Sequence, residues 1–473
     1  MSFSRRAVLS LFPSSVFAQR PRHPNLLLIM ADDLGFGDVG FHGSEFPTPH
    51  IDRIAKQGAQ FSHYYAYPLC SPTRCALLTG RSPLTIGIHG PFGPFDKTGL
   101  PLDEHTMAES FRAAGYQTWM VGKWHLGLAR QAQLPHRRGF DHFYGHTGGS
   151  VSYFTHLLAG AYDWQRNGKS VREEGYTTEL LGREMESLIR GRDKSRPFFA
   201  YTAFNAPHTP LEAPSERIAK FADIGDENRR TYAAMVSLVD DQVGRLLRVL
   251  DEEKIAKETM VVFLSDNGGA IGASNGPLRE GKSTVFEGGI RVPAAMWYPG
   301  VIEGGRTIGQ MIAAHDLFPT LAAGCGVKPR NTKPFYGRNL WGNLVSGKSS
   351  APKNVVIGAV GSFAVFDGEW KYVSGRTRGG DEIRALFRIR QDPGEKQDLL
   401  GAHPEVGKRM AEALAKLEIG ETLNNTGGPA EGAGGGGLKK GGGGGMKKGL
   451  KKKGAGGGQQ GETRPAVAES AVP

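Results

Sequence analysis

Two short apolar runs in this sequence end alike, and their ends carry oxygen ligands. Asn25 to Met30 (NLLLIM) is followed by Ala31 and then Asp32-Asp33, and MVVFLS is followed by Asp266-Asn267. In an open parallel sheet, ligands bind beyond the carboxyl ends of the strands. If these two ends are neighbours, three carboxylates and an amide carbonyl converge there, all hard donors suited to Ca²⁺ or Mg²⁺. Either pair alone reads as readily as a turn or a helix cap.

The segment from Cys70 to Arg81, CSPTRCALLTGR, has the form of a helix start, with Pro72 near the first helical position and Gly80 as a stop signal. Free backbone N–H groups at that end would make Cys70 a place for an anion. Arg74, one turn along, adds a fixed positive charge and suits the spot to a tetrahedral oxyanion. A structural cysteine at a helix start and a reactive thiolate of lowered pKa also fit this segment.

Four further residues have functional side chains in constrained settings. Lys123 and His125 stand two apart after an apolar run, so an extended segment would point them the same way. His208 lies between Pro207 and Thr209-Pro210, and Lys282 between Gly281 and Ser283 in a glycine-rich loop. Taken singly, each would be an ordinary surface or hydrogen-bonded residue.

Apolar runs like the first recur at Thr118–Val121, Phe198–Phe204 and Met260–Leu264, short enough to be strands buried on both faces. Between them lie helical patterns, the clearest from Tyr232 to Leu250, with Tyr232, Met235, Val236, Val239, Val243, Leu246, Leu247 and Leu250 on one face. Strands alternating with helices predict an α/β fold. After about Lys328 the pattern changes to VVIGAV and FAVFDGEWKYVSG, then a helical stretch from Pro404 to Leu417, which predicts a small antiparallel sheet with a closing helix. From Asn424 onward, Gly and Lys runs offer almost nothing to bury, so a disordered tail is expected over 424–473.

With 473 residues the chain can form one large domain and a smaller companion. Its formal charge of +11 does not indicate a nucleic-acid partner, because seven lysines fall between Leu438 and Lys453 in the tail. No apolar stretch is long enough for a transmembrane helix. Residues 1–19 carry Ser4-Arg5-Arg6, an apolar run from Ala7 to Ala18, and Val16 and Ala18 before a cleavage point. This resembles a twin-arginine export signal, so a periplasmic or extracellular protein is expected. The three cysteines, an odd count, are too few for a disulfide framework, and Cys325 reads as a small buried hydrophobe.

CSPTR fits the C-x-P-x-R signature of the cysteine-type sulfatases, and LLTGR continues it. PNLLLIMADDLG, GKWHLG, PHTP, LSDNGG and a GKST loop extend the resemblance over roughly Pro24 to Leu417. Thr73 stands where many members have serine. The resemblance implies the alkaline phosphatase superfamily fold, a large mixed, mostly parallel sheet sandwiched by helices, with catalytic residues 24–327 and a C-terminal subdomain at 328–420. It assigns Asp32, Asp33, Asp266 and Asn267, with Cys70, to a divalent metal; several protein oxygens with the hydrated aldehyde and a sulfate oxygen make a crowded shell, so Ca²⁺ is expected in preference to Mg²⁺. Cys70 becomes formylglycine through a separate formylglycine-generating enzyme, and Arg74, Lys123, His125, His208 and Lys282 line a sulfate pocket.

That set addresses both obstacles in a sulfate ester, the charge on its oxygens and its reluctant alkoxide. A hydrated aldehyde offers two hydroxyls; one attacks, and loss of the second's proton to His125 regenerates the aldehyde. The cations and the metal offset charge, and His208 with Lys282 assists departure of the alcohol. The pattern is similar to the arylsulfatase and N-acetylgalactosamine-6-sulfatase branch, so sulfated carbohydrates or aryl sulfates are the expected substrates. Ser150, Tyr153 or His156 in GGSVSYFTH would contribute substrate contacts, and ALFRIRQDPGEKQDLL would dock the smaller sheet. A phosphoric or phosphonic ester hydrolase and a non-catalytic binder of sulfated glycans are the competing readings.

Overall fold

Five parallel strands form the centre of the fold, four built from the predicted apolar runs and a fifth, HFYGH, that those runs did not include. They are β1 (Asn25–Ala31), β2 (Gln117–Lys123), β3 (His142–His146), β4 (Phe198–Ala203) and β5 (Thr259–Ser265), in the spatial order β3-β2-β4-β1-β5. The computed structural model describes residues 23–359, 361–377 and 380–424. The export-signal segment and tail residues 425–473 lie outside the described residues. Asn424, at the head of that tail, is buried and its amide donates to the Pro91 carbonyl at 3.2 Å.

Every residue of β1 is buried, as expected of a strand covered on both faces. Leu26, Leu28 and Met30 face one layer with Leu77 and Leu78, whereas Leu27, Ile29 and Ala31 face the other with Met235 and Val239. This alternation follows from the two-residue repeat of a strand. Each fully buried Leu or Ile contributes about 1.5–3 kcal/mol relative to exposure. Strand Ala294–Trp297 continues the sheet antiparallel beyond β5, and Gln165–Arg166 does so beyond β3. The large sheet is therefore mixed, with its parallel strands at the centre.

Helix α1 (Cys70–Thr79) is buried along its whole length and stops at Gly80, whose φ of 67° suits a residue without a Cβ. Cys70 itself is the first helical residue. Helix α2 (Glu227–Glu252) starts where the Asp226 side chain accepts a hydrogen bond from the Arg229 N–H, and buries the predicted apolar face. The one-turn α3 (Glu287–Ile290) follows the loop that carries Lys282.

The predicted small sheet comprises β6 (Val355–Ala359), β7 (Ser362–Asp367), β8 (Trp370–Arg376) and β9 (Glu382–Arg388), antiparallel throughout and closed by α4 (Pro404–Ala415). The first part of the expected docking segment is β9, and its DPGEK turn lies beyond. The core beneath this sheet includes Tyr65, Val285, Phe286 and Ile290, so it closes against the segments beside Cys70 and Lys282.

Candidate active site

Parallel register places the functional side chains. Ala31 pairs with Ser265, so the Asp32-Asp33 and Asp266-Asn267 pairs leave adjacent strand ends. Lys123 ends β2, opposite His146 at the end of β3, and His208 lies just beyond β4. Helix α1 brings in Cys70 and Arg74, and the loop before α3 brings in Lys282. All ten residues singled out from the sequence are buried together at this edge.

The Cys70 Sγ lies 3.2 Å from His125 Nδ1, while His125 Nε2 is 2.8 Å from the Phe92 carbonyl. A carbonyl only accepts, so Nε2 carries the hydrogen and Nδ1 presents its lone pair to residue 70. Ser71 Oγ donates to the His125 carbonyl at 2.8 Å and fixes the other end of the residue. His125 does not reach this place by strand alternation, as its spacing from Lys123 predicted. The strand stops at Lys123, and His125 takes a left-handed φ of 56° that turns its ring toward α1. Thr73 Oγ1 accepts from the Tyr67 N–H at 2.8 Å, a role any hydroxyl at that position could fill.

Each acidic side chain of the cluster has a cationic neighbour. Lys123 Nζ is 2.5 Å from Asp32 Oδ2, Lys282 Nζ is 2.8 Å from Asp33 Oδ1, and Arg74 Nη2 is 2.7 Å from Asp266 Oδ2. Arg74 therefore braces a carboxylate as well as facing residue 70; its Nη1 also donates to the Lys123 carbonyl at 2.8 Å. Burial raises the Asp32 and Asp33 carboxyls, but Lys123, His208 and Arg74 around the first, and Lys282 and His208 around the second, hold both below the ordinary range. Asp266 is raised, since burial and the Asp32 charge outweigh Arg74.

The donor set fits a hard cation. Asp32 Oδ1 and Asn267 Oδ1 are buried without a hydrogen-bond partner, a costly arrangement for oxygens that nothing coordinates. One ligand atom each from Asp32, Asp33 and His208 lie within 4.8 Å of one another. Asn267 Nδ2 donates to Asp33 Oδ1 at 2.7 Å, which leaves its carbonyl oxygen available. Three carboxylates facing three fixed cations sum to zero, so a divalent ion would give the pocket the positive charge that an anionic ester needs.

Burial pushes the Cys70 thiol up to about 11, with Lys123 and Lys282 only partly offsetting it. That argues against the lowered-pKa thiolate reading of the sequence. Burial and the Lys123 charge hold His125 well below the ordinary histidine range, so it is a neutral base at working pH. His208 Nδ1 lies 2.6 Å from the Thr209 carbonyl, which only accepts, so Nδ1 carries a hydrogen and Nε2 faces Asp33 Oδ2 at 3.7 Å.

Several parts of this site were missed in the sequence. The Phe92 carbonyl carries no side-chain signal. His146 is buried beside Lys123, held well below the ordinary histidine range by burial and the Lys123 and Arg74 charges; the signal for it was its place at the end of the HFYGH run. Of the residues expected to touch substrate, Tyr153 is buried with its hydroxyl donating to the Asn205 and His208 carbonyls, both at 2.8 Å. His156 is buried with Nε2 3.1 Å from the Gly175 carbonyl. Both side chains hydrogen-bond within the protein, and Ser150 alone of the three is half-buried.

The family model described as Sulfatase matches residues 24–327. N-acetylgalactosamine-6-sulfatase of Sus scrofa is 33% identical over 455 residues, covering 84% of this chain and 85% of the relative. Arylsulfatase J of Mus musculus is 30% identical over 451 residues, 83% of this chain and 75% of the relative. The crystal structure of Ps i-CgsB in complex with k-i-k-neocarrahexaose superposes with a TM-score of 0.80 at 34% identity, covering 85% of this chain and 94% of that one.

Proposed function

The chain belongs to the sulfatase family and hydrolyses sulfate esters, and we propose that it does so through a formylglycine made from Cys70, on sulfated carbohydrates, with Ca²⁺ as its metal. The observation that carries this reading is the placement of Cys70. It begins a buried helix, faces the lone pair of a neutral histidine, and stands beside a carboxylate cluster with unpartnered oxygens.

Oxidised to the aldehyde and hydrated, residue 70 would supply the attacking hydroxyl, and a cation held by Asp32, Asp33, Asp266 and Asn267 would lower that hydroxyl's pKa and screen the sulfate oxygens. Lys123 and Lys282 are bound to Asp32 and Asp33 and so held in place to bind the sulfate group. Arg74, locked on Asp266, fixes both that carboxylate and the positive end of the pocket. His208 gives a proton from Nε2 to the departing alcohol, and its Nδ1 contact with Thr209 keeps the ring oriented. His125 takes a proton at Nδ1 from residue 70, and the Phe92 carbonyl stabilises the imidazolium that results.

Ca²⁺ is preferred because three carboxylates, an amide oxygen, residue 70 and a sulfate oxygen make a crowded shell that a larger ion accommodates. A sulfated sugar is supported by one relative named an N-acetylgalactosamine-6-sulfatase and another crystallised with a neocarrahexaose. The twin-arginine-like segment supports export to the periplasm or beyond. Among the described residues no helix is long and apolar enough to cross a membrane.

The reading is tested by assaying the sulfate and phosphate monoesters of one alcohol, then sulfated oligosaccharides. Protein would be prepared with and without a formylglycine-generating enzyme. Sulfate turnover that depends on co-expression is expected; turnover independent of it, or a preference for the phosphate ester, would overturn the reading.

A further inference from the structure

A buried ion cluster joins the small sheet to the loop that carries Lys282. Lys371 on β8 is fully buried, with Nζ 2.9 Å from Glu287 Oε1 on α3 and 2.7 Å from Glu395 Oε1 in the DPGEK turn. Glu395 Oε2 accepts the Glu287 backbone N–H at 2.6 Å. The second Glu287 oxygen accepts from the Tyr65 hydroxyl at 2.9 Å and lies 3.5 Å from Arg291. Arg279 donates to the Glu395 carbonyl at 3.2 Å and lies over the Phe286 ring at 3.8 Å.

Segment 279–290, gripped in this way, touches the catalytic edge at several points. The Lys282 N–H donates to the Gly269 carbonyl at 3.1 Å, and the Ser283 N–H to the Pro68 carbonyl at 2.8 Å, two residues before Cys70. The Gly268 N–H, next to Asn267, donates to the Gly289 carbonyl at 2.9 Å. A Cβ at Gly268 would stand 1.8 Å from the Gly288 oxygen, so this contact is backbone against backbone with no slack. Charged side chains are costly to bury, and hydrophobic residues would hold a joint at lower cost. What the ions provide is directional anchoring of one short segment.

We propose that Lys371 and Glu395 are positioning residues for sulfate hydrolysis. By fixing Glu287 they set the place of the Lys282 ammonium and of the strap behind Asn267, so the C-terminal subdomain takes part in building the sulfate pocket. This rests on Lys282 binding the sulfate group, as read above. Burial pushes Glu395 up to about 7, with Lys371 partly offsetting it.

The test compares Glu395→Asp, which shortens the reach to the Glu287 amide, with Glu395→Gln, which keeps it. Both are prepared with the formylglycine-generating enzyme and measured for melting temperature, kcat, and inhibition by inorganic sulfate. In E395D, kcat is expected to fall about tenfold in fully folded enzyme, with the sulfate inhibition constant rising in step, because small displacements in a catalytic site carry losses of that order. E395Q keeps an acceptor for the Glu287 N–H in its amide oxygen but turns its NH2 toward Lys371 Nζ, so a loss of about threefold is expected, smaller than that of E395D. Arg279→Gln, at the half-buried edge of the joint, is measured beside them and carries the test if E395D does not fold; the same direction of change is expected. A lowered melting temperature with unchanged kcat and inhibition constant would overturn the proposal, as would an equal loss in E395Q. An inactive wild type would instead count against the sulfatase reading itself.

Discussion

His125 presents Nδ1 to the Cys70 Sγ at 3.2 Å while its other nitrogen is held by the Phe92 carbonyl at 2.8 Å. The histidine is thus tuned by one backbone oxygen and aimed at one side-chain atom. Burial keeps it neutral, so it can take a proton but is not charged beforehand. A base aimed at residue 70, and not at the leaving alcohol, would, under the proposed mechanism, act when the covalent link to that residue is broken.

His125→Ala is therefore expected to lower steady-state kcat by about 10²–10⁴-fold, the usual contribution of a positioned base. It should retain a first-turnover burst of alcohol, with sulfate accumulating on the residue-70 peptide. Rapid-quench kinetics with peptide mass analysis measures both; normal turnover with no adduct would remove His125 from this role.

Metal removal has a predicted effect on stability as well as on rate. A cation that binds only the folded chain stabilises it by about 2.7 kcal/mol at a hundred times its Kd. Chelation is expected to abolish activity and lower the melting temperature, with Ca²⁺ restoring both at lower concentration than Mg²⁺. Titrations followed by calorimetry and by aryl sulfate hydrolysis check this.

Tyr153→Phe separates a structural tyrosine from one that binds substrate. Removing the hydroxyl leaves the Asn205 and His208 carbonyls without their buried donor, at a cost of about 1–3 kcal/mol. The melting temperature should fall while KM for a sulfated sugar stays close to wild type. A large rise in KM at unchanged stability would return Tyr153 to the substrate contacts.

Asp240 gives a pH signature away from the site. It is buried on α2, accepts from the His50 and Ile51 N–H groups at 3.0 and 2.8 Å, and burial pushes it up to about 7. The folded state thus holds a proton that the unfolded chain releases near pH 3.9, so this group's stabilisation is complete below that pH and lost as pH rises toward 7. The stability of wild type relative to Asp240→Asn is expected to fall by about 2–4 kcal/mol between pH 4 and pH 8. Urea denaturation across that range measures the difference, and a flat difference would contradict the assignment.

Four of the five central strands were legible because fully apolar runs of this length have few alternatives to a buried parallel strand, and the acidic pairs directly followed two of them; HFYGH, with a histidine at each end, was not. Cys70 was legible because a helix start leaves its mark in Pro72 and Gly80. Geometry that depends on where an element stops was not. Spacing suggested that Lys123 and His125 share a strand face, yet the strand ends between them and a left-handed residue does the turning. Contacts made by main-chain oxygens, such as Phe92 on His125, leave no trace in side-chain type. The Lys371–Glu287–Glu395 cluster joins residues up to 108 apart whose local sequences read as surface charge. The Asp32 and Asp33 neighbours, by contrast, are cations the sequence had already placed in the pocket, though facing an anionic substrate and not the carboxylates themselves.

The central claim is that residue 70 works as an aldehyde. Protein co-expressed with a formylglycine-generating enzyme would be digested with trypsin, and the peptide Gln57 to Arg74, in which Cys70 is the sole cysteine, examined by mass spectrometry. Formylglycine at position 70, at an occupancy that scales with specific activity, is the predicted result. An intact thiol that alkylates normally in a preparation fully active on sulfate esters would contradict the account.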